Sequence, residues 1–193
     1  MMIKNTESTY GSVAKWLHWL TALLILLAYL AVLYLEYVLH GEGPMRSPLI
    51  RLHKAIGASV ILFFVLRLWW RAINPHPKMP ASMPNWQVYA SNATHFALYA
   101  LLLAMPLSGY LGNRNGVDFY FFSIPGFSST GLGSWLMNLL GVTFEQWEVP
   151  FDYFHYEIAG PFLFWMIIAV HASAAIYHHY IEKDDVLKRM LPE

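Results

Sequence analysis

Four stretches of apolar residues, each long enough to cross a bilayer, constrain this chain more than any other feature. A hydrocarbon core about 30 Å thick is crossed by about 20 apolar residues in a helix. The stretches cover residues 15–38, 53–72, 94–113 and 155–181. Because lipid offers no partners for backbone polar groups, such segments are expected to be helical. The sequence therefore predicts an all-α integral membrane protein, a four-helix bundle that forms a single domain over residues 1–193.

The composition agrees with a membrane protein and excludes several other classes. Only 12% of the residues are charged, whereas a soluble domain carries about 25% charged residues. The formal net charge is zero, so no surface for nucleic acid is expected. The chain has no cysteine, which excludes disulfides, iron–sulfur clusters and thiolate ligands.

The distribution of lysine and arginine predicts the orientation. If both termini are cytoplasmic, eight of these residues lie inside and four outside, as the positive-inside rule requires. The inner set is Lys4, Lys15, Arg67, Arg71, Lys78, Lys183, Lys188 and Arg189, and the outer set is Arg46, Arg51, Lys54 and Arg114.

Histidine, the commonest metal-ligating side chain, occurs nine times, and four of these residues fall at two depths of the predicted bundle. His18 lies near the inner end of the first helix, whereas His53 and His155 begin the second and fourth helices at the outer side. His171 follows His155 by sixteen residues, which is about 24 Å along a helix. Each depth therefore holds two histidines from different helices, as a six-coordinate haem iron requires. We predict two b-type haems with these four histidines as iron ligands.

Other residues favour haem over a bare metal ion. Gly57 lies four residues after His53 on the same helix face, where a missing side chain lets a flat ring approach. Arg67 lies close to the depth of the inner pair, and a buried arginine needs an anionic partner such as a haem propionate. Arg51 and Lys54 could pair with propionates of the outer haem in the same way.

Several motifs make the chain similar to a known family. They are YGSVAKWLHWL at residues 10–20, LHKAIG at 52–57, HFALY at 95–99 and HASAAIYHHYIEKDDVLKRMLP at 171–192. Together they resemble the bacterial cytochrome b561 family. The resemblance implies a four-helix dihaem protein of the inner membrane that oxidises superoxide at the periplasmic face and reduces ubiquinone. His18, His53 and His171 match ligand positions of the family.

The fourth ligand position departs from the family pattern. The family usually separates its two histidines of helix four by about fourteen residues, but sixteen residues place His155 about 160° from His171 on a straight helix. Because Gly160–Pro161 lies between them, His155 could occupy a turn that precedes the regular helix. A π-bulge would also absorb extra residues. His40 in the first loop is the alternative outer ligand.

The resemblance also suggests where the two substrates meet the protein. Arg46, Arg51 and Lys54 in the first loop could draw superoxide by electrostatic steering. His178 lies seven residues beyond His171, about 20° off the same face and about 10 Å deeper. We expect ubiquinone near His178 and near His95, which begins helix three on the inner side. The predicted catalytic residues are thus Arg51, Lys54, His95 and His178.

The loop of residues 115–150 leaves a second function open. Residues 132–142 are apolar but too short to span, and we expect a short helix at the interface or capping the bundle. The loop is either a lid over the outer haem or a docking surface for a redox partner protein. In the second case the chain is an electron-carrying subunit of a dehydrogenase or hydrogenase, and native purification should bring the partner. A haem-free structural or transport bundle is a third possibility.

Overall fold

The computed structural model describes residues 2–40 and 43–191. The predicted domain of residues 1–193 therefore includes Met1, Gly41, Glu42, Pro192 and Glu193, which lie outside the described residues, as does the last residue of the C-terminal motif. Four helices are long and apolar enough to cross a membrane. They are α1 (Ser12–Tyr37), α2 (Arg46–Ile73), α3 (Asn85–Leu111) and a composite fourth helix (Phe144–Glu182). The predicted four-helix membrane bundle is confirmed.

Three of the helices begin well before their apolar stretches. Helix α2 begins at Arg46 instead of 53, α3 at Asn85 instead of 94, and the fourth helix at Phe144 instead of 155. Apolarity marks only the part of a helix that lies in hydrocarbon, whereas the helix itself continues through the polar interface. The first-loop location expected for Arg46, Arg51 and Lys54 is therefore wrong, because all three residues lie within α2. The expectation that His95 begins helix three is also wrong, since it lies ten residues inside α3.

The fourth spanning helix changes its winding along its length. It consists of α5 (Phe144–Asp152), a π-helical segment (Tyr153–Leu163), α6 (Phe164–Tyr177) and a final π turn (His178–Glu182). In an α-helix the ring of Pro161 would clash with the carbonyl four residues earlier, and a wider turn relieves this clash. The Tyr29 hydroxyl of α1 donates a hydrogen bond of 2.7 Å to the Gly160 carbonyl within this segment.

The π segment explains the unusual histidine spacing. A π-helix closes its hydrogen bonds between residues i and i+5, so each turn holds about one residue more than an α turn. Two such turns take up about two extra residues. The sixteen residues from His155 to His171 therefore rotate about the helix axis about as far as fourteen residues of an α-helix would. His155 lies inside this segment, eleven residues after the helix begins at Phe144, and so not on a turn that precedes the helix.

The core lies where α2, α3 and the fourth helix meet. Its buried members are Val60, Phe64, Leu101, Leu102, Met105, Ala159 and Phe164. Most other apolar side chains of the long helices point outward, including Leu23, Leu62 and Phe162, which are 48%, 58% and 67% exposed. Such exposure is unfavourable in water but natural against lipid tails. Few apolar side chains therefore pack between the helices, and many are placed to contact lipid.

The outer loop has a compact structure of its own. Strands β1 (Val117–Asp118) and β2 (Ser123–Ile124) form an antiparallel hairpin. Helix α4 (Gly131–Leu140) follows, begins at a Thr130 side-chain cap and ends at Gly141 in the left-handed conformation, φ 66°. The expected short helix over residues 132–142 is present, one residue earlier at its start and two residues shorter at its end.

The hydrogen bond from Tyr29 to Gly160 predicts a measurable stability difference. In Tyr29→Phe the Gly160 carbonyl loses its hydrogen bond from α1, so we expect the free energy of unfolding to fall by about 1 kcal/mol. Tyr34→Phe is the matched control, because Tyr34 lies on the same helix and is 48% exposed. Thermal unfolding of the purified protein in detergent measures both variants. Equal midpoints for the two variants would contradict a role of this bond in holding the π segment.

Candidate functional site

The outer pair of histidines meets across the bundle. The ring centroids of His53 in α2 and His155 in the π segment are 6.0 Å apart, with their planes at 90°. Imidazole nitrogens bond metals at about 2.0–2.1 Å, so rings on opposite sides of one metal ion have centroids about 6 Å apart. The distance therefore suits a single iron atom between the two rings. His40, the alternative ligand, is exposed in the first loop in a left-handed conformation, φ 50°.

Backbone carbonyls orient both outer rings. The Nδ1 atom of His53 lies 2.9 Å from the Ala28 carbonyl oxygen, and Nδ1 of His155 lies 3.0 Å from that of Met105. A carbonyl oxygen only accepts, so each Nδ1 carries the proton and donates it. The lone pair is then on Nε2, the nitrogen available to a metal ion. The Ser108 hydroxyl, 3.2 Å from Nδ1 of His155, donates to the same Met105 carbonyl.

Two glycines leave room around the outer pair. A Cβ atom on Gly109 would lie 2.9 Å from Cε1 of His155, closer than real Cβ contacts, so only glycine permits this ring position. A Cβ atom on Gly57 would meet nothing within 4 Å. The face of α2 after His53 is therefore open, as the approach of a flat ring requires. Sequence reasoning found Gly57 but missed Gly109, although an isolated glycine within a helix is itself a sign of close packing.

The inner site brings three histidines together. The ring centroids of His18 and His171 are 6.1 Å apart with planes at 60°, again a distance that suits one iron atom. The buried Nδ1 of His18 has no hydrogen-bond partner among the residues that the structure describes. The ring of His95 lies 5.1 Å from that of His171, and its Nδ1 donates to the Ser91 carbonyl at 2.7 Å. His95 thus belongs to the inner cluster itself.

Arginine 67 lies beside this cluster without a carboxylate partner. Its guanidinium carbon is 5.8 Å from the centroid of the Tyr99 ring, and that of Arg71 is 5.9 Å from the same ring. Within residues 2–40 and 43–191 no ion pair joins Arg67 to an acidic side chain. Tyr10, just before α1, lies in the field of both arginines, and burial raises the pKa of its phenol. A cation inside a membrane needs an anion, and a haem propionate would supply one.

The predicted outer cations are held by the outer loop. Arg51 forms an ion pair with Asp118 of β1 at 3.4 Å, and its guanidinium carbon is 5.9 Å from the centroid of the Tyr120 ring. The Lys54 ammonium donates to the Asn113 side-chain oxygen at 2.9 Å. The outer loop therefore contacts α2 at Arg51 and at Lys54, which precede and follow His53 in the sequence. Asp118, which sequence reasoning did not select, reduces the positive charge available at Arg51.

His178 is paired with an acid that sequence reasoning also missed. Its Nδ1 lies 2.6 Å from Oδ2 of Asp184, and the two side chains are only 12% and 15% exposed. The final π turn and the left-handed Lys183, φ 55°, bend the chain back and bring Asp184 to the ring. Within the described chain, ring contacts join His171 to His18 and His95 but not to His178.

Three known proteins are similar to this chain over almost its whole length. The chain is 31% identical to cytochrome b561 homolog 2 of Escherichia coli K12, over 99% of this chain and 95% of that protein. It is 30% identical to cytochrome b561 homolog 1 of the same organism, over 92% and 93%. It is also 23% identical to the "Probable superoxide oxidase CybB" of Yersinia pestis, over 95% and 96%.

The family comparison covers almost the whole chain. Residues 9–193 match the family described as prokaryotic cytochrome b561. Membership implies a b-type haem and electron transfer in a membrane, which agrees with the four spanning helices and with paired histidines inside the bundle. The chain therefore belongs to the prokaryotic cytochrome b561 family of membrane electron-transfer proteins.

Proposed function

We propose that the chain is a superoxide:ubiquinone oxidoreductase that holds two b-type haems in a bacterial inner membrane, with both termini in the cytoplasm. The observation that carries the proposal is the presence of two histidine pairs from different helices, each with ring centroids about 6 Å apart. The relative in Yersinia pestis named as a superoxide oxidase supports the choice of substrate. The balanced reaction takes two superoxide anions, one quinone and two protons to two dioxygen molecules and one quinol.

Four histidines would hold the two haems. His53 and His155 would bind the outer haem through Nε2, because the carbonyls of Ala28 and Met105 occupy their Nδ1 protons. His18 and His171 would bind the inner haem, with Arg67 as the partner of a propionate. A bound haem supplies one-electron chemistry at its iron.

Arg51 and Lys54 would attract superoxide to the outer haem. Arg51 is about half exposed, with a side-chain exposure of 47%, so its charge acts on anions in the surrounding water. Lys54 adds a second positive charge one helical turn away. Two histidines on each iron would leave no open coordination position, so these cations would only bring the anion within reach of the haem edge.

His95 and His178 would take part in quinone reduction. His95 contacts the ring of His171, a proposed ligand, and so lies where a quinone headgroup could take electrons from the inner haem. The paired His178 and Asp184 can hold a proton between them at 2.6 Å. Because quinone reduction consumes two protons, this pair would deliver them from the cytoplasmic side.

The identity of the fourth ligand can be tested by counting haems. We expect His155→Ala to reduce the haem content from two per chain to one, because the outer iron loses one of its two imidazoles. The matched control is His40→Ala, which should retain both haems. The pyridine haemochrome spectrum of the purified variants gives the ratio. Two haems in His155→Ala and one in His40→Ala would reverse the assignment, and a wild-type protein without haem would remove the proposed function.

The open face at Gly57 gives a second test of the outer haem. We expect Gly57→Leu to lose this haem, because the new side chain fills the space that a flat ring would occupy. Gly131→Leu is the control, since a Cβ atom at Gly131 also meets nothing within 4 Å but lies at the start of α4. Haem content and gel filtration measure loading and folding separately. A monodisperse Gly57→Leu protein with two haems would show that the ring lies elsewhere.

Electrostatic steering predicts opposite effects for the two partners of the outer ion pair. We expect Arg51→Glu to lower the rate of superoxide consumption at low salt by about tenfold, and Asp118→Asn to raise it. Lys188→Glu, a charge reversal near the other end of the bundle, should leave the rate unchanged. Stopped-flow decay of superoxide at several ionic strengths measures all three. Salt-independent rates that are equal in the Arg51 and Lys188 variants would contradict steering.

A further inference from the structure

The turn of the outer hairpin exposes three aromatic side chains in a row. Tyr120, Phe121 and Phe122, here called the aromatic tip, are 72%, 98% and 60% exposed. Phe121 contacts almost nothing in the protein. Apolar surface of this size is unfavourable in water, whereas aromatic side chains concentrate where a membrane meets water. The proposed electron-transfer function assigns no role to these residues.

The aromatic tip has a fixed shape. The Phe119 N–H donates to the Phe122 carbonyl at 2.9 Å, and the rings of these two residues are stacked with centroids 4.8 Å apart. The Asp118 side chain accepts from the Tyr120 N–H at 3.1 Å. Tyr120 has a φ of 64°, a left-handed conformation that is costly for a residue other than glycine. The turn thus presents its aromatic rings outward at some cost in backbone free energy.

The contact with Arg51 indicates the depth of the aromatic tip. Helix α2 has 28 residues and is about 42 Å long, about 12 Å longer than the hydrocarbon core. A centred helix would therefore extend about 6 Å beyond the core at each end. Arg51 lies five residues after the start of α2, about 7.5 Å along its axis. The Tyr120 ring beside Arg51 is therefore at the level where hydrocarbon gives way to headgroups.

Other apolar side chains of α2 and of the outer loop are also exposed. Leu52, next to Arg51 in α2, is 42% exposed. In α4 of the same loop, Leu132, Trp135 and Leu139 share one helix face at 60%, 58% and 65% exposure, while Met137 on another face is buried. The loop therefore exposes a second apolar surface besides the aromatic tip.

We propose that the aromatic tip inserts into the outer leaflet at the boundary of headgroups and acyl chains, and that it anchors the outer loop to the bilayer. The occupant of this surface is lipid rather than a second copy of the chain or a redox partner. Because β1 carries Asp118, the anchor would also keep that carboxylate on Arg51 and hold the loop against α2. This inference does not depend on the identity of the electron donor or acceptor.

Depth-dependent quenching tests the anchor. The chain has no cysteine, so Phe121→Cys offers a single attachment point for an environment-sensitive fluorophore. The labelled protein is placed in phosphatidylcholine vesicles whose acyl chains carry bromine either near the headgroup or deep in the core, and iodide serves as the aqueous quencher. Asn115→Cys, an exposed position of the same loop, is the aqueous control, and Leu62→Cys, in the middle of α2, is the lipid control.

The proposal predicts a distinct pattern for each label. The label at position 121 should lose most of its emission to the shallow bromolipid, less to the deep one, and little to iodide. The label at 115 should respond mainly to iodide, and that at 62 mainly to the deep bromolipid. Strong iodide quenching at 121 without bromolipid quenching would place the aromatic tip in water. Protection at 121 from both quenchers would mean that protein covers the tip. Either result would overturn the proposal, and an unchanged haem spectrum shows that the labelled variants are folded.

Discussion

The approach of two imidazole rings to about 6 Å, in each of two places, is the constraint on which the bundle depends. The two rings of each pair come from different helices, so both distances require the helices to keep their rotation and depth over their whole length. Packing alone provides little of this precision, because the buried core is small and most apolar side chains face lipid. At the outer pair, polar contacts that cross between helices add to this precision, because a polar group left without a partner is unfavourable inside a bilayer.

The outer pair shows how these contacts combine. His53 of α2 is held by a carbonyl of α1, and His155 of the fourth helix by a carbonyl of α3, so all four helices take part in positioning two rings. The Ala28 carbonyl that orients His53 precedes Tyr29, whose hydroxyl holds the π segment that carries His155. Helix winding, a proline and a tyrosine on another helix thus act together to let His155 and His171, sixteen residues apart, each meet a histidine of another helix.

The two ends of the bundle differ in what surrounds the histidines. At the outer end a structured loop pairs its own acid, Asp118, with Arg51 and its own amide, Asn113, with Lys54. Under the proposed function such a loop would limit how freely superoxide reaches those cations, and the proposed membrane anchor would hold the loop in that place. At the other end, Arg67 beside Tyr99, the third histidine His95 and the His178–Asp184 pair bring several polar and charged side chains together.

The class of the protein and the depths of its four paired histidines could be predicted from the order of residues alone. Hydropathy and the rise per residue are local properties, so four spans and two levels of histidine follow directly from residue numbers. The chain could not reveal where α2 and α3 begin, because polar interface residues extend a helix without an apolar signal. The folded structure was needed to show that His155 turns toward His53 and that His95 joins the inner cluster. It was also needed to show that Asp118 and Asp184 are the partners of Arg51 and His178. These outcomes depend on contacts between residues distant in the chain or on a change of helix winding, and neither can be calculated from a regular periodicity.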